Sequence, residues 1–250
     1  GKEHLCTDTR IIGYRINGGL AEYMKFPREA IERRCVFHAA AHLSPAEVSL
    51  AEPLGCVLNG ATQYQTHVGD TVLIIGAGPI GLLHTQVNRL LGASQIIVSD
   101  PSAPRREVAK QFGATHTVDP TATDLEEYVR DLTDGLGAHV VVICIGHPGL
   151  VQQAMQVVRK SGAVNAFAGF SKASLAEVDP NLIHYGELRI TGASNASRAS
   201  HKKALRLIGE GKIDVKSLHT HTFALDDVVE GIEFAQTGEG IKIAISPDGK

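Results

Sequence analysis

The sequence predicts an α/β protein organised on a doubly wound parallel sheet. Three observations predict it. Residues 71–100 read TVLIIGAGPIGLLHTQVNRLLGASQIIVSD: an apolar β-type run, a glycine turn, a helical pattern, and a second apolar run ending in an acid. Short apolar runs then alternate with helical patterns and short loops through the rest of the middle region, which places the strands parallel with helical crossovers. One of these runs, 139–145, is almost continuously apolar, as a strand buried on both faces is.

Residues 1–52 differ in character from this core. Gly18-Gly19 marks a turn, 20–26 alternates loosely like a strand, and Pro27 ends it. The charged stretch 28–34 reads as surface loop. Ser44-Pro45-Ala46-Glu47 is a helix start, with Ser44 as N-cap and Glu47 closing a capping box. The helix is expected over 45–51, broken near Pro53 and resuming over 54–64. A turn at 68–70 leads into the first strand.

That strand, 71–75, runs into Gly76-Ala77-Gly78-Pro79-Ile80-Gly81, a G-x-G-x-x-G. Ile80, Leu83, Val87, Leu90 and Leu91 then recur at helical spacing, and Gly92 stops the helix. The second strand, 95–99, ends at Asp100. Strand, glycine turn, helix, strand and acid together form the dinucleotide-binding fingerprint, the Rossmann βαβ unit. Gly76 allows the tight turn, Gly78 lets the backbone approach a pyrophosphate, and Gly81 lets the helix pack close to the sheet. Pro79 suits the first helical turn, where a missing N–H costs little. The helix N-terminus attracts phosphate through its unpaired amides and dipole. Asp100 accepts hydrogen bonds from the adenosine ribose and repels a 2′-phosphate, which favours NAD over NADP. Arg105 and Arg106 follow closely and are the features that argue the other way.

Beyond Asp100, helices are expected over 104–112, 124–133 and 150–159, and strands over 116–118, 139–145, 163–167 and 188–193. Ligands of such sheets bind beyond the C-terminal strand ends. Those ends comprise Gly76 and Asp100, then Cys144, Ile145 and Gly146, then Ala168, Gly169 and Phe170, then Ala193, Ser194 and Asn195. The tail carries helices over 200–210 and 225–236 and strands over 219–223 and 241–245.

Composition bounds the function. The chain has 250 residues, 43% apolar and 20% charged, in the range of a globular protein. A net charge of −3 gives no basis for a nucleic-acid or anionic-membrane partner. No apolar run is long enough to span a bilayer, and no signal-peptide pattern is present. Cys6, Cys35, Cys56 and Cys144 show neither C-x-x-C pairing nor a disulfide framework, so a cytoplasmic, reducing setting is expected.

The stretches GKEHLC, GGLAEYMKFP, AEPLGCVLNG, VGDTVLIIGAGPIGLL, GASQIIVSD, FGATHTVD, NLIHYGELRITGAS and FALDDVVEGIEFAQTGEGIKIAI follow one another in a family-like order and spacing. Across essentially the whole chain they resemble the medium-chain dehydrogenase/reductase superfamily, in its zinc-dependent polyol (sorbitol) and threonine dehydrogenase branch. The resemblance implies two domains: a partial, discontinuous GroES-like catalytic domain over 1–53 and 196–250, and a Rossmann domain over 54–195. It implies hydride transfer from a secondary alcohol or polyol to NAD with zinc assistance, and a homodimer or tetramer paired through the edge strand 188–193. It also implies a catalytic or metal-site role for Glu52 in AEPL and a structural-zinc role for Cys6. The family's other zinc ligands have no counterpart here, so the chain resembles a member lacking most of its N-terminal catalytic portion. The alternatives are a catalytically inactive NAD-binding module and a zinc-free quinone-reductase-like enzyme. Apart from the resemblance, Cys144 reads as a small hydrophobe, His219 and His221 as polar residues on one strand face, and His184-Tyr185 as packing near the cleft. His38 and His42 lack the intervening Glu of a zincin helix.

Overall fold

The computed structural model describes residues 1–247. In chain order its elements are α1 (Arg28–Glu32), α2 (Pro45–Ser49), α3 (Ala51–Tyr64), β1 (Thr71–Ile75), α4 (Pro79–Leu90), β2 (Gln95–Ser99), α5 (Ala103–Gln111) and β3 (His116–Val118). They continue with α6 (Leu125–Asp131), β4 (Ala138–Ile143), α7 (Gly149–Val157), β5 (Val158–Ala166), α8 (Pro180–Gly186) and β6 (Arg189–Gly192). The last are α9 (Arg198–Gly209), β7 (His219–Ala224), α10 (Val228–Thr237) and β8 (Lys242–Ser246).

The chain divides into two compact units, residues 56–194 and residues 1–55 with 195–250. The first unit is built on a six-stranded parallel sheet of order β3-β2-β1-β4-β5-β6. This is the expected α/β Rossmann sheet, with the reversal of strand order between β1 and β4. Every residue of β1 is buried, which only a strand covered on both faces achieves. Leu73 and Ile75 point to one face, where they join Ile97, Val141, Ile143 and Val164 with Leu125 and Val129 of α6 and Met155 of α7. Val72 and Ile74 point to the other, and α4 packs on β1 and β2 from that side.

The second unit holds α1, α2, α9, α10 and the parallel pair β7-β8. Ser44 and Glu47 cap α2 reciprocally: Ser44 Oγ accepts the Glu47 amide at 3.3 Å, and the Ser44 amide donates to Glu47 Oε2 at 2.9 Å. The Ser44 hydroxyl and amide hold the Glu47 carboxyl below the usual carboxylate range. Glu3 Oε1 accepts the Arg198 amide at 2.9 Å, which with its guanidinium holds Glu3 down at about 2. Against β7-β8, α10 is closely seated: a Cβ on Gly231 would stand 2.8 Å from Ile245 Cδ1.

Several expected elements shift. The charged stretch 28–34 contains a helical turn, α1, because Pro27 fixes an extended entry and Glu29 and Ile31 carbonyls accept the Arg33 amide. The helix break falls at Leu50 rather than Pro53, which occupies the first turn of α3 where its missing N–H leaves no bond unmade. Residues 20–26 form no strand, since no described segment supplies a ladder partner, and Tyr23 is 91% exposed. The helix expected over 150–159 ends at Val157, and β5 starts at once and absorbs an irregularity between Val158 and Ala163. Ser161, at φ +60, makes that bend.

Candidate functional site

The site is built where β1 and β4 separate. Gly76 leaves β1 at φ +108, a conformation that costs glycine nothing, and its amide donates to the Ser99 carbonyl at 2.8 Å. The chain therefore stays tied to β2 while it turns toward α4. Pro79 is the first residue of α4, Gly78 is the N-cap, and no side chain caps this N-terminus. A Cβ built on Gly78 meets no atom within 4 Å, so the space beside this residue is open. Gly81 faces the other way: a Cβ there would overlap the Gly76 carbonyl oxygen. The two glycines thus do different work, one leaving room and the other permitting contact.

Asp100 closes the far side of this turn. It is 3% exposed, and each carboxylate oxygen holds one backbone amide. Oδ2 accepts Ala77 N–H at 2.8 Å and Oδ1 accepts Ser102 N–H at 2.8 Å. A carboxylate has roughly four acceptor positions, so these two bonds fix its orientation and leave capacity for hydroxyl donors. Arg106 is committed elsewhere: its Nη1 donates to the Asp100 carbonyl at 2.7 Å and pairs with Asp119 at 3.1 Å. Thr121 hydroxyl and amide, with Arg106 adding, hold the Asp119 carboxyl below its usual range. Arg105, partly exposed, lies in the first turn of α5, whose N-cap Ser102 Oγ accepts its amide at 3.5 Å.

The neighbouring strand ends lie along the same C-terminal edge of the sheet. After β4, the Cys144 amide donates to the Ile75 carbonyl at 2.9 Å, and Ile145 is 41% exposed. Burial pushes the Cys144 thiol up, so it is a poor nucleophile and serves as a small packing group. Gly146 lies so close to the loop after β5 that a Cβ would overlap the Gly169 carbonyl oxygen. This brings the 144–146 and 168–170 segments together. Ala193 and Ser194 follow β6 in the same unit. Asn195, at φ +55, is the first residue of the returning segment of the other unit.

Sequence reasoning did not single out the Ala77 and Ser102 amides that orient Asp100, because backbone donors leave no mark in residue type. It also passed over the support beneath the 167–170 segment. There His84, fully buried on α4, stands edge-on to Phe167 with ring centroids 4.5 Å apart.

The residues fit a dinucleotide: a phosphate cradle that a Cβ would fill, an uncapped helix N-terminus, and an oriented acid beside it. They do not fit zinc. Among the described residues no group of three or more His, Cys, Asp or Glu side chains stands together, and zinc takes three or four ligands. Cys6 is exposed with a free thiol, and Glu52 is exposed in the first turn of α3.

Comparison with known proteins gives a consistent picture. The family model described as zinc-binding dehydrogenase matches residues 79–210. L-Threonine 3-dehydrogenase of Bacillus subtilis is 33% identical over 248 residues, 99% of this chain and 70% of that protein. Sorbitol dehydrogenase of Halalkalibacterium halodurans is 28% identical over 248 residues, 99% of this chain and 71% of that protein. A crystal structure from Sinorhizobium meliloti 1021, described as a zinc-binding dehydrogenase bound to NADP, superposes with a TM-score of 0.91 at 31% identity, covering 98% of this chain and 71% of that one.

Proposed function

The chain belongs to the zinc-binding dehydrogenase family, and from that premise we propose that it is an NAD-dependent oxidoreductase taking hydride from a secondary alcohol or polyol. The observation that carries the reading is the open, uncapped N-terminus of α4 at Gly78, set beside the oriented Asp100 carboxylate. In this reading the amides of Ile80 and Gly81 hold the pyrophosphate, with the helix dipole adding attraction. Asp100 accepts the adenosine ribose hydroxyls and places negative charge where NADP carries its 2′-phosphate. The segments 144–146 and 168–170, with Ala193 and Ser194, flank the nicotinamide. The bound cofactor supplies a ring carbon that accepts hydride. The chain's part is to hold that ring, exclude water and keep the ribose anchored. The NADP bound by the Sinorhizobium protein makes the cofactor choice a direct test of Asp100.

A panel of secondary alcohols and polyols, including threonine and sorbitol, assayed for NADH formation at saturating NAD tests the reaction. NADH formation with at least one member is expected. Bound NAD with no NADH from any member would overturn the dehydrogenase reading. It would support a second one, a catalytically inactive NAD-binding module, which the lack of a three-ligand group among the described residues favours.

The same reading assigns a homodimer or a tetramer built from it. Its support is β6, which ends the sheet order and leaves one backbone edge open to a second copy. Sedimentation velocity should show a dimer or larger, and a monomer at micromolar concentration would contradict it. Four free cysteines support a reducing, cytoplasmic location. Among the described residues no helix is long and apolar enough to cross a membrane.

A further inference from the structure

At the opposite end of the same sheet the starts of β1, β4, β5 and β6 frame a recess of about 230 Å³. Pockets for drug-sized ligands span roughly 300–1,000 Å³, so this one suits a small ion. Arg159, Lys160 and Arg189 line it, with Asp70 as its carboxylate. Among the described residues none of these three cations has a carboxylate within ion-pair distance. Arg189 is held by neutral acceptors, donating to Gln65 Oε1 at 3.1 Å and to the Tyr64 carbonyl at 3.2 Å. Asp70 is turned inward, accepting the His67 amide at 2.7 Å.

The arrangement at His139 leaves Arg159 without a good acceptor. His139 Nδ1 accepts the Thr71 amide at 3.0 Å, which puts the proton of the neutral ring on Nε2. Desolvation lowers the His139 pKa, with Arg159 also lowering it and Asp70 opposing, so the neutral ring is the relevant form. Yet Arg159 Nη1, a donor only, lies 2.7 Å from that same Nε2. A neutral imidazole cannot accept at both nitrogens, so the guanidinium faces an N–H. Asp70 Oδ1, 3.7 Å from Nε2, is the acceptor that the ring would take if Arg159 turned away.

We propose that this recess binds a small oxyanion of the phosphate or sulfate type. The anion takes N–H donors from Arg159 and Lys160, and Arg189 adds positive charge at the rim. Arg159 turns from His139 to the anion, and His139 Nε2–H then donates to Asp70. Charge-assisted bonds from guanidinium and ammonium to such an anion are the strong class of hydrogen bond. The site lies at the N-terminal strand ends, away from Gly78 and Asp100 at the C-terminal ends, so it does not depend on the cofactor reading. The anion is either the free ion or the phosphate group of a small organic ester.

Calorimetric titration of the full chain with inorganic phosphate, at ionic strength held constant with chloride, tests the site. Saturable binding is expected, with the affinity of one site weakened about tenfold or more in R159Q and in K160Q, as loss of a charge-assisted bond implies. Lys160 is exposed, so K160Q retains the fold even where R159Q does not. K110Q, on a surface lysine paired with Glu107, should leave phosphate binding unchanged. Repeating the titration with glycerol 3-phosphate separates the sources: tighter binding identifies a phosphate ester, and equal or weaker binding identifies the free ion. Absence of saturable phosphate binding, or wild-type binding by both R159Q and K160Q, would overturn the proposal.

Discussion

Gly78 and Gly81 stand three positions apart in one turn and answer to opposite constraints. Gly78, at φ −73, already has a backbone that alanine adopts, and its missing Cβ opens onto empty space. G78A should therefore change unfolding stability by no more than about 0.5 kcal/mol, the usual range for a substitution away from packed features. The same substitution should weaken NADH binding about tenfold or more, since the methyl group occupies the pyrophosphate's place. G81A should do the reverse in origin. Its Cβ overlaps the Gly76 carbonyl, and overpacking of this kind costs about 1–3 kcal/mol. Denaturant unfolding and fluorescence titration of both variants check the pair. Equal stability loss in the two, or unchanged NADH affinity in G78A, would break the assignment. Gly76 and Gly81 could be read from the spacing because one takes a left-handed φ and the other a backbone contact that leaves no room for a Cβ. Asp100 was found for its position, but the amides that aim it belong to Ala77 and Ser102, whose side chains carry no such signal.

At the scale of elements, α3 and α4 are joined by a buried polar network. Asn88 Nδ2 donates to Tyr64 Oη at 3.1 Å, so the Tyr64 hydroxyl proton is directed to His84 Nδ1, also at 3.1 Å. Thr66 Oγ1 donates to Asn88 Oδ1 at 2.6 Å and completes the chain. The remaining His84 nitrogen, Nε2, is buried and has no hydrogen-bond partner among the described residues. Burial drives the His84 pKa down from 6.5 to about 3. The folded state thus refuses a proton that the unfolded state accepts. Stability is fully present above about 6.5 and falls as pH drops toward about 3, at up to about 1.4 kcal/mol per pH unit. Replacing His84 with Gln should flatten that slope, measured by urea unfolding across this range. Parallel slopes in the two proteins would contradict the assignment. The network escaped sequence reading because Tyr64 stands 20 positions from His84 and 24 from Asn88, and nothing in the local pattern around Tyr64 links it to them. The elements themselves were readable where one periodicity dominated, as in 71–100. They were not where pairing decides, as at residues 20–26, or where a proline is harmless in a first turn, as at Pro53.

At the scale of the molecule, each end of the six-stranded sheet carries its own chemistry. The C-terminal ends of the strands gather the open glycine turn, the aimed carboxylate and the apposed loops at 146 and 169. The N-terminal ends gather three cations around one carboxylate. The other unit contributes α9 and the β7-β8 pair with α10 across it, together with exposed side chains such as Tyr14 and Tyr23. Family membership explains why the strand order, the fingerprint and the terminal motifs occur together in one chain. The proposed cofactor site is narrower: NAD at the N-terminus of α4, with Asp100 on the ribose. Titration of the chain with NADH, followed by competition with NAD and NADP, tests it most directly. Saturable NADH binding, displaced by NAD at lower concentration than by NADP, is the predicted result. A folded chain that binds no NADH, or that yields NADH more readily to NADP than to NAD, would contradict it.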